Sequence, residues 1–264
     1  MSTSFPFKNV RIRFAGETDV GKTHDSNEDN LFLPDTIPIG IVADGMGGHA
    51  SGEVASRICV ETVSDYYKKT SGNWSPVWPM HLDPLKQNFF RMESSIKFAN
   101  AKIHQHSQND PACHNMGTTV CAIYFEDNYC IIGHVGDSRI YRVRKEGIEL
   151  LLEDHSFLND MARMKRISVE EAMAEGTKTN IVSRVLGPNP EVLPDCSIIY
   201  PRIGDIFILC SDGLNDMIKD DVIYNICMST DDLDEMCEKL VDAANEAGGE
   251  DNITALAARV EAES

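Results

Sequence analysis

The stretch TTVCAIYFEDNYCIIGHVGDSRIYRV, residues 118–143, decides the fold. It contains three apolar runs of strand length, 118–125, 129–135 and 138–143, with only short polar or glycine-bearing breaks between them. Parallel neighbours need a crossover of roughly a dozen residues or more, whereas antiparallel neighbours need only a tight turn. The spacing therefore predicts adjacent antiparallel strands.

Further strand-length runs lie at 39–43 (IGIVA), 148–152, 196–200, 205–210 (DIFILC) and 253–260 (ITALAARV). Helical spacing marks 54–67, the set Leu85, Phe89, Met92, Ile96, Ala99 and Ile103, and the set Leu233, Met236, Cys237, Leu240, Val241 and Ala244. Asp83-Pro84 suits the N-cap and first turn of the second helix, and Ser168 with Glu171 forms a capping box for a short helix near 169–175. Two long helices precede the strand block and one precedes the last strand, so the alternation of a parallel sheet is absent. The expected class is α+β with mainly antiparallel sheets. Residues 70–84 read as a surface insertion, and 155–180 as either a flap or a small satellite helix packed on the core.

The chain has 264 residues, of which 42% are apolar, enough for one large domain or two small ones. No apolar run approaches the roughly 20 residues that cross a bilayer, and the N-terminus lacks the apolar stretch of a signal peptide. A cytoplasmic protein with no membrane partner is expected. The net charge of −18, with the acid concentrated from Asp212 onward, argues against nucleic acid. The eight cysteines show no CxxC pair and no His–Cys ligand spacing, so they read as reduced, buried packing residues.

Two familiar motifs fail. Asp25-x-Asn27-x-Asp29 starts like a calcium-binding loop, but its sixth and twelfth positions are Asn30 and Thr36 rather than Gly and Glu. Gly45-x-Gly47-x-x-Ala50 follows a strand, yet a second long helix stands where a dinucleotide fold needs its returning strand. More telling is the position of isolated acids at strand tips. Asp44 ends IGIVAD, Asp212 ends DIFILCSD, Asp251-Asn252 precedes ITALAARV, and Glu28-Asp29 precedes LFL. One strand-end Asp-Gly is an ordinary turn. Several converging tips would repel one another unless divalent cations compensated them. Oxygen donors of this kind suit magnesium or manganese, and such ions suit attack on a phosphate.

The ordered set NEDN (27–30), ADGMGGHASGEVAS (43–56), GTT (117–119), GHVGDSRIY (133–141), EDHS (153–156), NIVSRVLG (180–187), SDGL (211–214) and GGEDNIT (248–254) resembles the metal-dependent Ser/Thr protein phosphatases of type 2C, the PPM family. The match runs from about residue 10 to residue 260, and DGMGGH with the compact length resembles the bacterial branch. The resemblance implies a single catalytic domain over 1–264, a β-sandwich of two antiparallel sheets flanked by pairs of helices in four α-β-β-α layers, with a flap at about 155–180. It implies two Mn2+ or Mg2+ ions and a weaker third. Carried over by position, Asp44 would bridge the two ions, the Gly45 carbonyl would bind one, and Asp212 and Asp251 would bind the other. Asp137 would serve the third ion, Glu28 and Asp29 would hold coordinated waters, and Asn252 would stand behind them. His49 would protonate the leaving oxygen.

His24 departs from the family pattern, which places a phosphate-gripping arginine four residues before the Glu of NED. Histidine lacks the permanent bidentate fork of arginine. Weaker phosphate binding is expected, or compensation by Lys22, which shares a face with His24 if the segment is extended. The implied activity is hydrolysis of phosphoserine and phosphothreonine in proteins by direct attack of metal-bound hydroxide. The implied enzyme is a monomer countering a Ser/Thr kinase. Two alternatives remain open: a catalytically weak scaffold that binds a phosphorylated partner, and a metal hydrolase for small phosphoesters.

Overall fold

The computed structural model describes residues 3–7, 10–47, 51–70, 83–176 and 181–263. Strands β1 (Thr3–Pro6), β2 (Val10–Asp19), β3 (Asn30–Phe32), β4 (Ile39–Ala43) and the two-residue β5 (Gly45–Met46) lead into two long helices, α1 (Ser51–Thr70) and α2 (Pro84–Asn109). A 3-10 turn at Pro111–Cys113 precedes β6 (Gly117–Thr118), β7 (Val120–Phe125), β8 (Cys130–Val135), β9 (Arg139–Arg144) and β10 (Gly147–Leu150). Then come α3 (Phe157–Lys165), α4 (Val169–Ala174), β11 (Asp195–Ile199), β12 (Ile206–Cys210), α5 (Asp212–Asn215), α6 (Asp220–Ser229), α7 (Leu233–Ala247) and β13 (Ile253–Ala262). The capping box is formed: Ser168 Oγ accepts from Glu171 N at 3.1 Å, and Glu171 Oε2 accepts from Ser168 N at 2.8 Å.

One sheet runs β1-β2-β13-β12-β9-β10, another β11-β8-β7-β4-β3, and β5 pairs with β6. Every pairing is antiparallel, as the short breaks in 118–143 require. The run expected over 118–125 is divided at Thr119, whose N–H donates to the Asp44 carbonyl at 2.8 Å while its hydroxyl accepts from Asp44 N at 3.0 Å.

Period-two alternation sorts the side chains into layers. In β7, Val120, Ala122 and Tyr124 pack with Cys59, Val63, Met92 and Ile96 of α1 and α2. Their neighbours Cys121, Ile123 and Phe125 face the other sheet. In β12, Phe207 and Leu209 meet them, while Ile208 and Cys210 pack with Met236, Leu240 and Ala244 of α7. The result is four layers, α-β-β-α. Phe125 stands at the centre of the inter-sheet layer, in edge contact with Phe14 and Phe207 at 5.7 Å each. Because helices cover both outer faces, the strands read as continuous apolar runs and not as strict alternation.

The insertion expected at 70–84 falls mainly on 71–82, outside the described residues. Within 155–180 the chain forms α3 and α4, joined by a small cluster of Leu158, Ala162, Ile167 and Ala172; positions 177–180 lie outside the described residues.

Candidate metal centre

The strand tips bring the acids to one end of the sandwich. Asp44 follows β4 of the five-stranded sheet, whereas Asp212 and Asp251 flank β12 and β13 of the six-stranded sheet. Asp29 immediately precedes β3, and Asp137 sits in the β8–β9 turn. Asp29 is buried and fixed: its Oδ2 accepts from Ser211 Oγ and from Thr254 Oγ1, each at 2.7 Å. Asp44 is held through its backbone, its carbonyl also accepting from Thr118 Oγ1 at 2.8 Å, while Thr119 Oγ1 shares a hydrogen bond with Ser138 Oγ at 2.6 Å.

Two glycines permit the close approach at this end. A Cβ on Gly45 would lie 2.2 Å from the Gly52 carbonyl oxygen, and one on Gly52 would lie 1.9 Å from Glu28 Oε2. The first turn of α1 therefore rests against Asp44's neighbour and against Glu28 with no side chain between.

Asn252 ties the loop after β2 to the tip of β13. Its Oδ1 accepts from Glu28 N at 2.7 Å, and its Nδ2 donates to the carbonyls of Val20 and Ser26 at 2.8 and 3.0 Å. His24 Nε2 lies 3.4 Å from Asp251 Oδ1, at the exposed rim. The proposed shared face of Lys22 and His24 is not formed, because 21–23 is a turn. Gly21 takes φ +76, and Lys22 N donates to the Gly249 carbonyl at 2.7 Å. His49 lies outside the described residues.

The electrostatics call for cations. Protein packed round the carboxyls is the first cause raising Asp29, Asp44 and Asp212, and their mutual charges add to it. Asp137 is pushed up to about 7, by desolvation first and then by the charge of Asp212. Asp212 Oδ1 is buried with no hydrogen-bond partner. Glu28 is raised too, chiefly by burial. An oxygen-only donor set with an orphaned carboxylate oxygen fits hard divalent ions.

A cleft of about 970 Å³ lies between Asp137, Asp212 and Asp251 on one side and Leu158, Val169 and Met173 of α3 and α4 on the other. Arg139 grips Asp154 through Nε and Nη2 on this wall, at 3.0 and 2.7 Å. The hydroxyls of Ser211, Thr254, Thr118 and Thr119 were not singled out from the sequence. Ser211 sits beside Asp212 and Thr254 three residues after Asp251, whereas Thr118 and Thr119 meet Asp44 only through the fold.

A family model described as Protein phosphatase 2C matches residues 22–256. The Serine/threonine phosphatase stp of Listeria monocytogenes serotype 4b is 36% identical over 242 residues, covering 90% of this chain and 92% of the relative. The crystal structure of the Mycobacterium tuberculosis serine/threonine phosphatase PstP/Ppp superposes with a TM-score of 0.82 at 29% identity, covering 96% of this chain and 99% of that one. A crystal structure of the PstP catalytic domain in complex with two manganese ions superposes with a TM-score of 0.80 at 29% identity, covering 96% and 100%.

Proposed function

The chain belongs to the protein phosphatase 2C family, and on that footing we propose that it is a metal-dependent protein serine/threonine phosphatase acting on phosphorylated proteins. The observation that carries this reading is the convergence of Asp29, Asp44, Asp137, Asp212 and Asp251, with Asp212 Oδ1 left unpartnered among raised carboxyls. Asp44 would bridge two manganese or magnesium ions, the Gly45 carbonyl would serve one, and Asp212 and Asp251 the other. Asp137 would serve a weaker third. Bound there, the cations supply a water of lowered pKa and screen the charge on the phosphoryl oxygens.

The protein's own groups do the positioning. Ser211 and Thr254 fix Asp29 through its Oδ2, in a pose from which it would orient a water, and Asn252 holds the Glu28 backbone in register. His24 would meet the incoming phosphate at the rim, and His49 would deliver a proton to the leaving oxygen. The thiols take no part: burial pushes Cys59, Cys196, Cys210, Cys227 and Cys237 up to about 12, far from a reactive thiolate. A phosphocysteine intermediate is therefore not part of this reading, in which hydrolysis is direct.

The 1–264 chain acts as one catalytic unit in this reading, a cytoplasmic monomer opposing a Ser/Thr kinase. Its segment 155–180 works as a flap whose Met164 and Met173 offer an adaptable apolar surface to substrate. No helix of the described residues is long and apolar enough to cross a membrane. The test is hydrolysis of a phosphothreonine peptide with manganese, with chelator, and with Asp44→Asn and Asp212→Asn. Turnover should require metal and fall at least about 100-fold in each variant, the scale of losing a charged group that stabilises the transition state. Retained turnover in both would remove the metal assignment, and a metal-dependent enzyme indifferent to peptide over small esters would point to the phosphoester reading.

A further inference from the structure

Away from the acidic centre, the C-terminal end of α2 gathers three potential ligands of a different chemical kind. His106 and Asp110 stand one helical turn apart, and Cys113 follows in the 3-10 turn. A ring nitrogen of His106, a carboxylate oxygen of Asp110 and Cys113 Sγ all lie within 4.8 Å of one another. The turn is responsible. Asp110 N donates to the His106 carbonyl at 3.0 Å, and Asp110 Oδ1 accepts from Ala112 N at 2.9 Å. The chain thus folds back until Cys113 Sγ points at Asp110 Oδ2, 3.8 Å away. His106 and Asp110 line a cleft of about 500 Å³ between α1 and α2, whose walls also carry Glu61, Asp65 and Lys102, and Cys113 is buried behind them.

We propose that His106, Asp110 and Cys113 form a second cation site, taking zinc or a divalent ion of similar softness. Imidazole nitrogen, carboxylate oxygen and thiolate sulfur are the three donor types that zinc accepts in a tetrahedral shell, which leaves a fourth position for an outside ligand. Magnesium and manganese prefer oxygen and have no use for the sulfur. On binding, the S–H bond of Cys113 breaks, a metal–sulfur bond forms, and the proton leaves to solvent. The site also has a structural reach. Met116 N donates to the Cys113 carbonyl at 3.2 Å, and two residues on, Thr118 and Thr119 hold the Asp44 backbone. A bound ion would fasten the end of α2 to the segment that supports the catalytic centre.

Cobalt(II) titration of the manganese-loaded protein reads this site alone, because a sulfur-to-cobalt charge-transfer band needs a thiolate and the strand-tip centre has none. The expected result is a saturable near-ultraviolet band that zinc abolishes. It should be absent in Cys113→Ser, and in His106→Ala it should require at least roughly tenfold more cobalt, the loss that even an outer-shell partner carries. Cooperative thermal unfolding of both variants shows that they are folded. No band from the native protein at saturating cobalt would overturn the proposal, as would a band undiminished in Cys113→Ser or a cobalt requirement unmoved in His106→Ala.

Discussion

Asn252 spends three hydrogen bonds on holding one loop, and none of them touches a reacting atom. Replacing it with Ala leaves the Glu28 N–H and two part-buried carbonyls without the partner that the buried Asn252 side chain supplies. Asn252→Ala should cost about 1–3 kcal/mol in denaturant unfolding and raise the manganese concentration needed for half-maximal turnover. A variant with native stability and native metal dependence would show that the loop is held by other contacts. His24 poses the opposite question, since it sits on the rim against Asp251 and not on a strand face. His24→Arg restores a bidentate fork, and KM for a phosphopeptide should fall by roughly tenfold, equivalent to about 1.4 kcal/mol; an unchanged KM would remove His24 from phosphate binding. At this scale the acids were legible in the sequence because Asp-Gly at the end of an apolar run is conspicuous. Their hydroxyl partners were not, since Ser and Thr beside turns are common for reasons of local backbone bonding. The approach of Cys113 to His106 was hidden as well, because it depends on Asp110 turning the chain after the helix ends.

Elements with a single strong period were readable, and those with mixed signals were not. Strands β7, β8, β9 and β12 announced themselves as apolar runs, and α2 and α7 by helical spacing, α2 with its Asp83 cap; the Asp232 cap of α7 emerged only from the structure. Helix α6 did not: DDVIYNICMS is rich in β-branched and aromatic residues, and its cap position, Lys219, makes no side-chain hydrogen bond. Strand β2 was also missed, because Val10, Ile12 and Phe14 alternate with charged residues for only half its length before Gly16 and Glu17 break the pattern. It nevertheless supplies Phe14, which packs edge-on against Phe125. Since Phe125 also touches Phe207 of the other sheet's strand β12, it is the element contact most sensitive to truncation. Phe125→Ala should lower unfolding free energy by about 3–5 kcal/mol, measured by urea denaturation. A loss under about 1 kcal/mol would mean that the two sheets close over the void.

For the molecule as a whole, acid is both the working chemistry and a liability. In the metal-free protein Asp29, Asp44, Asp137 and Asp212 hold protons that the unfolded chain has already released near its ordinary carboxyl pKa. Their contribution to stability is full below about pH 4 and is lost as pH rises, through about 6 for Asp212 and about 7 for Asp29 and Asp137. His134 acts in the other direction: burial lowers it to about 3, so its contribution is present above its ordinary pKa and lost as pH falls. The four carboxyls outweigh it, and the net charge of −18 adds self-repulsion in the same sense. Metal-free protein should therefore melt at a lower temperature at pH 7.5 than at pH 5, and manganese should raise Tm more at pH 7.5. Equal increments at both pH values would show that the acids are already ionised without metal. The longest pairing in the fold adds a constraint in time: β2 pairs with β13 over ten registered positions, Asp19 opposite Ile253 and Val10 opposite Ala262. During synthesis β2 emerges early and must wait, its partner edge open, until β13 leaves the ribosome. Asp251 stands just beyond the Asp19–Ile253 end of that ladder and Asn252 ties the Glu28 loop to the same end, so a nascent chain lacking β13 has no assembled centre. The enzyme cannot begin removing phosphate until β13 is in place.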